Sequence, residues 1–505
     1  MATIRNRCAA VLVSMTTMRQ RAASRAEDMS RVALLAQLTE EARASLALLY
    51  RNPVWVRPSE TDLDVAIIGG GQSGVGIAFA LNRAGIERVA VFEAAPQDRV
   101  GVWATTARME ALRTDKSISG LDQGIPELSF PRWLDRLEGQ GAFERLVRIP
   151  RLVWAEYVGW LTGVFACDIR YESSLIDVRP AEGGLGMTFS GKHGEKRLTA
   201  RRLVLATGLD GFGAPFIPET VARVVPKAQF SHTAEDIDFA ALQGRRVIVL
   251  GAAASAFDAA ATALEAGASQ VHLLARSAQL ATVPSGALAK NPALYRPFRD
   301  FPDALRWKII TEGRARGHAP PATIDRAQRH ANFHLHQGVS AETLRFQDGE
   351  IRADLLSGPL AADYLIAGTG YATDVKRRPE LALVEPHLRL WRDVLGAPAA
   401  DSEWGRFPYL DPDLALQTRS AADDWITRIH AFNYAAVLSH GYHVGDIGSH
   451  VDCVSRLTEG LASRLFAEEA DYHLAAAGHA SPVGSGSSIS PPVQPSGAQR
   501  CARSA

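Results

Sequence analysis

Short apolar runs alternate along the chain with alanine-rich amphipathic stretches. This is the pattern of strands buried on both faces and joined by crossover helices. The first run, Asp64-Val65-Ala66-Ile67-Ile68, passes into Gly69-Gly70-Gly71-Gln72-Ser73-Gly74 and then into a predicted helix from Val75 to Ala84. A second strand, Arg88 to Phe92, stops on Glu93. The unit recurs downstream. Arg246 to Leu250 is an apolar strand, Gly251-Ala252-Ala253-Ala254-Ser255-Ala256 a turn, and Phe257 to Ala266 a helix; a strand from Val271 to Leu274 then leads into Ala275-Arg276-Ser277. Two further buried strands end on small turns, Leu203-Val204-Leu205-Ala206-Thr207-Gly208 and Tyr364-Leu365-Ile366-Ala367-Gly368-Thr369-Gly370. The pattern predicts an α/β chain with two Rossmann-like dinucleotide-binding domains.

The turn residues carry specific chemistry. Gly69 permits the tight turn, Gly71 lets backbone approach a pyrophosphate, and Gly74 lets the helix pack close to the sheet. With Gly70 and Ser73 they present free N–H groups and the positive end of a helix dipole to phosphates. Glu93 stands about 20 residues on, where a carboxylate accepts both hydroxyls of an adenosine ribose. In the second turn only Gly251 survives; Ala253 and Ala256 hold the other glycine places. Arg276 stands at the strand tip instead of an acid, which suits a 2′-phosphate and predicts an NADPH site that includes Gly251 and Ser255. The competing reading is a structural α/β repeat with a solvated Arg276. The Thr207-Gly208 and Gly370 turns let a return strand pass beside a bound dinucleotide.

In this order, these motifs resemble the two-dinucleotide-domain flavoproteins, and more narrowly the flavin-containing and N-hydroxylating monooxygenases. The resemblance covers roughly residues 62 to 470. It implies FAD on the first fold and NADPH on the second, with reduced flavin reacting with dioxygen to a hydroperoxide that oxygenates the substrate. Gly101-Val102-Trp103 resembles the family's Gly-Gly-x-Trp beside the flavin, with valine in place of a glycine. The segment Met109 to Lys116, with Arg113, resembles the stretch that carries a lysine near flavin and substrate. Ile149-Pro150-Arg151 with Trp154, Tyr157 and Trp160 resembles a Pro-x-Arg and aromatic helix, and Asn433 and His440-Gly441 a C-terminal Asn and His-Gly loop. The Phe-x-Gly-x-x-x-His pattern of flavin monooxygenases is reduced here to His232, which favours N-hydroxylation over Baeyer–Villiger or sulfur oxygenation.

Composition narrows the partners. The chain has 505 residues, 47% of them hydrophobic, enough for two or three cores. A formal net charge of zero gives no electrostatic basis for nucleic-acid binding. Four cysteines occur without a C-x-x-C pair, so the dithiol that a disulfide reductase needs is missing. No zinc-spaced Cys/His cluster and no run of about 20 apolar residues occurs. The expectation is a cytoplasmic enzyme using a small-molecule substrate and dioxygen, without metal or membrane, with self-association left open. The first 28 residues read as a basic leader or a mis-called start, and residues 480–505, rich in Ser, Pro and Gly, as disordered. Val32, Leu34, Leu35 and Leu38, then Leu46, Leu48 and Leu49, predict a helix packed outside the flavin domain. The predicted domains are a leader and helical extension (1–61), a first FAD segment (62–221), an inserted NADPH domain (222–357) and a second FAD segment (358–479).

Candidates outside the turns are fewer. Lys116 reads as a steadying group for the flavin or a substrate anchor, or else as a solvated loop charge. Asn433 is the second catalytic candidate. Asp446 reads either as a partner of the flavin ribityl hydroxyls or as a cap on the helix behind it. Trp154, Tyr157 and Trp160 lie on one helical face, and a core-facing stripe explains them at least as well as a pocket wall. The histidines His430, His440, His443 and His450 have no metal spacing. An oxidase, a dehydrogenase and a non-catalytic flavoprotein are the alternatives to a monooxygenase.

Overall fold

The structure is a computed structural model that describes residues 30–118, 120–280, 297–314, 319–355, 358–441 and 444–478. The expected leader and tail lie outside the described residues, as do His443, Cys8 and Cys501.

A helix over residues 30–48, α1, lies on the outside of the first unit, as the periodicity predicts. It buries Leu38 and Ala42, and its Thr39 hydroxyl accepts the Trp160 indole N–H at 3.1 Å. Arg31 pairs with Glu138 and, at 2.7 Å, with Glu156. The first unit follows with β1 (Leu63–Ile68), α2 (Gln72–Arg83), β2 (Val89–Phe92), α3 (Arg151–Phe165), β3 (Ile169–Arg170), β4 (Ser173–Ala181), β5 (Gly184–Gly191) and β6 (Gly194–Gly208). The sheet order is β3-β2-β1-β6-β5-β4. β6 serves two layers. Its first half pairs antiparallel with β5, and its second half runs parallel to β1, with Ile68 opposite Leu205. β1 and β2 are covered on both faces and are apolar apart from Asp64, which is buried and pairs with Arg88 at 2.5 Å.

After β7 (Gly213–Pro215) the second unit opens with β8 (Phe230–His232) and β9 (Arg246–Leu250). It continues through α4 (Ala254–Glu265), β10 (Gln270–Ala275), α5 (Pro321–Gln328) and β11 (Phe333–Gln337). An antiparallel meander follows, formed by β12 (Leu344–Gln347), β13 (Glu350–Leu355) and β14 (Gly358–Ala362). Then comes β15 (Tyr364–Ala367). The order β11-β10-β9-β15-β8 is parallel throughout. The second unit therefore runs past the expected boundary at 357, because β14 and β15 hydrogen-bond inside it. The chain returns through β16 (Tyr371–Thr373), which pairs with β7 as a two-stranded ribbon between the units. β17 (Ile429–Asn433) then completes the first sheet beside β6, and α6 (His450–Glu468) packs on α2. Both nucleotide helices begin a few residues earlier than predicted, inside their turns. Among the described residues no helix is long and apolar enough to cross a membrane.

Candidate active site

The first turn has the shape its glycines dictate. Gly69 sits at φ +106°, and a Cβ there would meet the Ala206 carbonyl oxygen at 2.5 Å. A Cβ on Gly74 would collide with the Gly69 carbonyl. Gly71 differs, because its missing Cβ faces only the Gly101 Cα at 3.9 Å, which leaves an open cradle. No side chain caps the start of α2, so its N–H groups stay available to an anion. At the tip of β2, Glu93 accepts the Gly70 N–H at 2.7 Å and the Ala95 N–H at 2.8 Å. The acid is thereby fixed at the lip of the cradle.

A cavity of about 810 Å³ opens from this turn. It is within the size range of cofactor clefts. Its wall takes in Gly69, Gly71, Ser73, Glu93, Trp103, Arg113, Thr207, Gly208 and Asp446 from the first unit, with Ser255 and Asp258 from the second. Asp446 caps the turn behind it, its carboxylate accepting the Ile447 N–H at 2.9 Å, and it also lines the cavity. Gln72, assigned no role of its own from the sequence, is the hub of the first unit's wall. Its amide nitrogen donates to the Gly445 carbonyl at 2.9 Å, and its amide oxygen accepts the Trp103 indole N–H at 2.9 Å. The signal in the sequence is a long amide side chain inside a glycine turn.

The second turn stands across the cavity. Gly251, at φ +113°, packs against the Gly368 carbonyl, and Ser255 reaches the cavity wall. Arg276 is exposed at the end of β10, outside the cavity. Gly370, at φ +77°, accepts the Phe216 N–H at 2.8 Å and turns the chain into Tyr371, a wall residue whose phenol burial pushes up to about 12.

Charged side chains far apart in the chain clamp the units together. Asp258, on α4 and only 3% exposed, pairs with Arg113 from the first unit and lies 3.6 Å from Arg326. Burial holds its carboxyl pKa above the ordinary value, with Arg113 and Arg326 offsetting only part of the rise. Arg326 also donates to the Arg108 carbonyl at 2.6 Å and pairs with Glu265 at 2.6 Å.

Both residues proposed as catalytic lie away from the cavity wall. The Lys116 ammonium donates to the Phe143 and Glu144 carbonyls, each at 3.0 Å, over the Phe143 ring. The Asn433 amide, fully buried, donates to the Leu205 carbonyl at 2.9 Å and accepts the Ala435 N–H at 3.0 Å, which pins β17 to β6. Trp154, Tyr157 and Trp160 are core residues, with the Tyr157 hydroxyl on the Leu128 carbonyl at 2.6 Å. Burial pushes His430, His440 and His450 down to about 4, 3 and 4, so they stay neutral at pH 7. Each bonds a backbone carbonyl. No metal-capable cluster occurs among the described residues. His232 is buried too, with Nδ1 accepting the Ala234 N–H at 3.0 Å.

Residues 66–290 match the pyridine nucleotide-disulphide oxidoreductase family. An FAD-dependent urate hydroxylase of Xanthomonas campestris pv. campestris is 32% identical over 445 residues, spanning 86% of this chain and 94% of the relative. The chain belongs to the FAD- and NADPH-dependent flavin monooxygenase superfamily. It is a flavin-dependent oxidoreductase. The fold agrees with that membership. The ornithine hydroxylase of Pseudomonas aeruginosa superposes with a TM-score of 0.64 at 18% identity, covering 80% of this chain and 99% of that one. The L-lysine 6-monooxygenase of Pseudomonas syringae gives 0.60 at 21% identity, covering 80% and 99%.

The residues present fit the family's cofactors. The Gly71 cradle, the uncapped α2 terminus and Glu93 suit the pyrophosphate and ribose of FAD. The uncapped start of α4, with Ser255 beside it, suits a second dinucleotide. The two described cysteines are unsuited to dithiol chemistry: burial pushes Cys167 up to about 12 and Cys453 up to about 11, and neither lines the cavity.

Proposed function

We propose that the protein is an NADPH-using monooxygenase that transfers one atom of dioxygen to a small molecule. One observation carries this reading: a single cavity is walled by Gly71 and Trp103 on one side and by Ser255 and Asp258 on the other, so both cofactors address one space. FAD, once bound, supplies dioxygen activation with electrons from NADPH. The chain's own residues do positional work. The Gly69–Ser73 turn and Glu93 hold the nucleotide, and Gln72 keeps Trp103 and Gly445 in place. Arg113 and Asp258 fix the approach of the two units.

Urate is the first substrate to test, because the Xanthomonas relative is a urate hydroxylase. A second reading is N-hydroxylation of an amine or amino acid, supported by the motif resemblance and by a fold shared with ornithine and lysine hydroxylases. A cytoplasmic setting belongs to the same proposal. FAD-loaded protein is mixed with NADPH, air and either urate or an amine panel, and product is measured against NADPH and hydrogen peroxide. We expect hydroxylated product in step with NADPH consumed. Peroxide equal to NADPH with every substrate would move the assignment to an oxidase.

A further inference from the structure

A second cavity of about 500 Å³ adjoins the first and shares Ala107, Arg108 and Met109 with it. Much of its wall is apolar, with Met109, Pro150, Leu152, Ile237 and Phe239. Two guanidiniums line it without an ion-pair partner among the described residues. Arg108 donates to the Thr106 carbonyl at 2.9 Å, to the Glu235 carbonyl at 2.8 Å and to the Thr233 carbonyl, and lies over the Phe239 ring. Arg151 donates to the Met109 carbonyl at 3.1 Å and to the Trp103 carbonyl. Carbonyl dipoles fix these groups in place and leave their formal charge uncancelled.

A third guanidinium of this wall, Arg326, takes up two of the cavity's three acids, Glu265 and, at 3.9 Å, Glu110. Asp236 pairs with Arg99 and is 67% exposed, Glu265 pairs with Arg326, and Glu110 is 62% exposed. Burial pushes both Arg108 and Arg151 below their ordinary value, yet a guanidinium stays charged at neutral pH. The interior thus holds two pre-positioned cations beside an aromatic ring and a thioether. Both arginine side chains are half-buried, and an anion that enters gains charge-assisted hydrogen bonds from both. Trp103, whose carbonyl Arg151 holds, is itself a wall residue of the cofactor cavity.

We propose that this adjoining cavity is the substrate pocket, and that Arg108 and Arg151 select a small, flat heteroaromatic anion over neutral rings and cationic amines. The proposal rests on the monooxygenase reading for the reaction, and on the two arginines alone for the charge selection. Equilibrium dialysis tests it, with apo and FAD-loaded protein and three probes: urate as the anion, caffeine as a neutral purine and benzylamine as a cation. The wild type should bind urate at least about tenfold tighter than caffeine, and benzylamine weakest. Arg151→Gln should weaken urate by about 10- to 100-fold and leave caffeine unchanged, while Arg151→Lys recovers part of the loss.

Unchanged urate affinity in Arg151→Gln overturns the proposal. So does equal loss of urate and caffeine in both variants, which marks a merely structural arginine. If Arg151→Gln does not fold, the wild-type order decides: urate first supports the pocket, and any other order overturns it. Protein that binds the probes in the expected order but takes up no FAD sinks the oxygenase reading and leaves the anion pocket standing. Protein that takes up FAD but binds the three probes alike does the reverse.

Discussion

In the first nucleotide turn the helix carries the glycine, Gly74, and the crossing strand carries the methyl of Ala206. In the second the helix carries the methyl, Ala256, and the strand carries the glycine, Gly368. A Cβ on Gly368 would lie 2.6 Å from that of Ala256. Each turn thus needs a bare Cα, but at a different place: Gly74 faces the Gly69 carbonyl in the first, and Gly368 faces Ala256 in the second. The two turns also share a backbone path at the middle position, where Gly71 has φ −69° and ψ −174° and Ala253 has φ −88° and ψ 173°. Gly71 is therefore required for space and not for conformation. The second turn keeps the path and adds a methyl where a phosphate would come. The apparent decay of the second motif is part relocation and part narrowing.

The largest test of this contrast is Gly74→Ala. Its methyl would strike the Gly69 carbonyl, a backbone atom that cannot step aside without undoing the turn. We expect protein purified without FAD, destabilised by about 1–3 kcal/mol or more, read from flavin absorbance and thermal melting. Adding Ala206→Gly should not restore it. Gly368→Ala should weaken NADPH and spare FAD, because its methyl would meet the Ala256 Cβ at 2.6 Å and Cα at 2.8 Å, both in the second unit. Adding Ala256→Gly should restore part of the NADPH binding, since the Cα of residue 256 stays close, with a coupling of about 0.5–3 kcal/mol in a double-mutant cycle. Additive losses there would refute the link between the bare Cα of Gly368 and the methyl of Ala256.

A smaller effect concerns the strand tips, Glu93 in one unit and Arg276 in the other. Arg276→Ala should move the NADPH/NADH preference towards one, by about 10- to 100-fold. Stopped-flow flavin reduction with each cofactor measures it, and a wild type that prefers NADH removes the role of Arg276. The smallest effect belongs to Ala253→Gly, which should tighten NADPH by a few-fold, since removing a methyl also loosens the unfolded and free states by up to about 1 kcal/mol. Titration of the wild type and this variant side by side gives the ratio.

What could be read in the sequence follows the range of the interactions. The first turn and its acid are local, within one β–α–β unit, so Gly69, Gly71, Gly74 and Glu93 were all identifiable from spacing. The compensation by Gly368 was invisible because it sits more than 100 residues from Ala256 and depends on β15 entering the second sheet. That same pairing moved the domain boundary. Lys116 was placed by analogy to a segment, and the structure gives its ammonium two backbone carbonyls in a neighbouring loop. Asn433 was singled out as chemistry, and its observed contacts tie two strand ends together. Gln72 and Arg151 stand in recognisable motifs and Arg108 and Asp258 in none, yet all four acquire their main partners only when distant segments meet.

The double service of β6 has a consequence for how the molecule is made. Its parallel half is flanked by β1, available early, and by β17, which lies far downstream beyond the whole second unit. On a ribosome the inserted unit has all its strands once Ala367 has emerged, while the outer sheet still lacks Ile429–Asn433. At about 5–20 residues per second that interval lasts several seconds. During it the edge of β6 is an open ladder of unpaired backbone groups, the kind of surface that recruits foreign strands. The nascent chain therefore completes its inner unit before its outer one, and its period of greatest aggregation risk falls between the two.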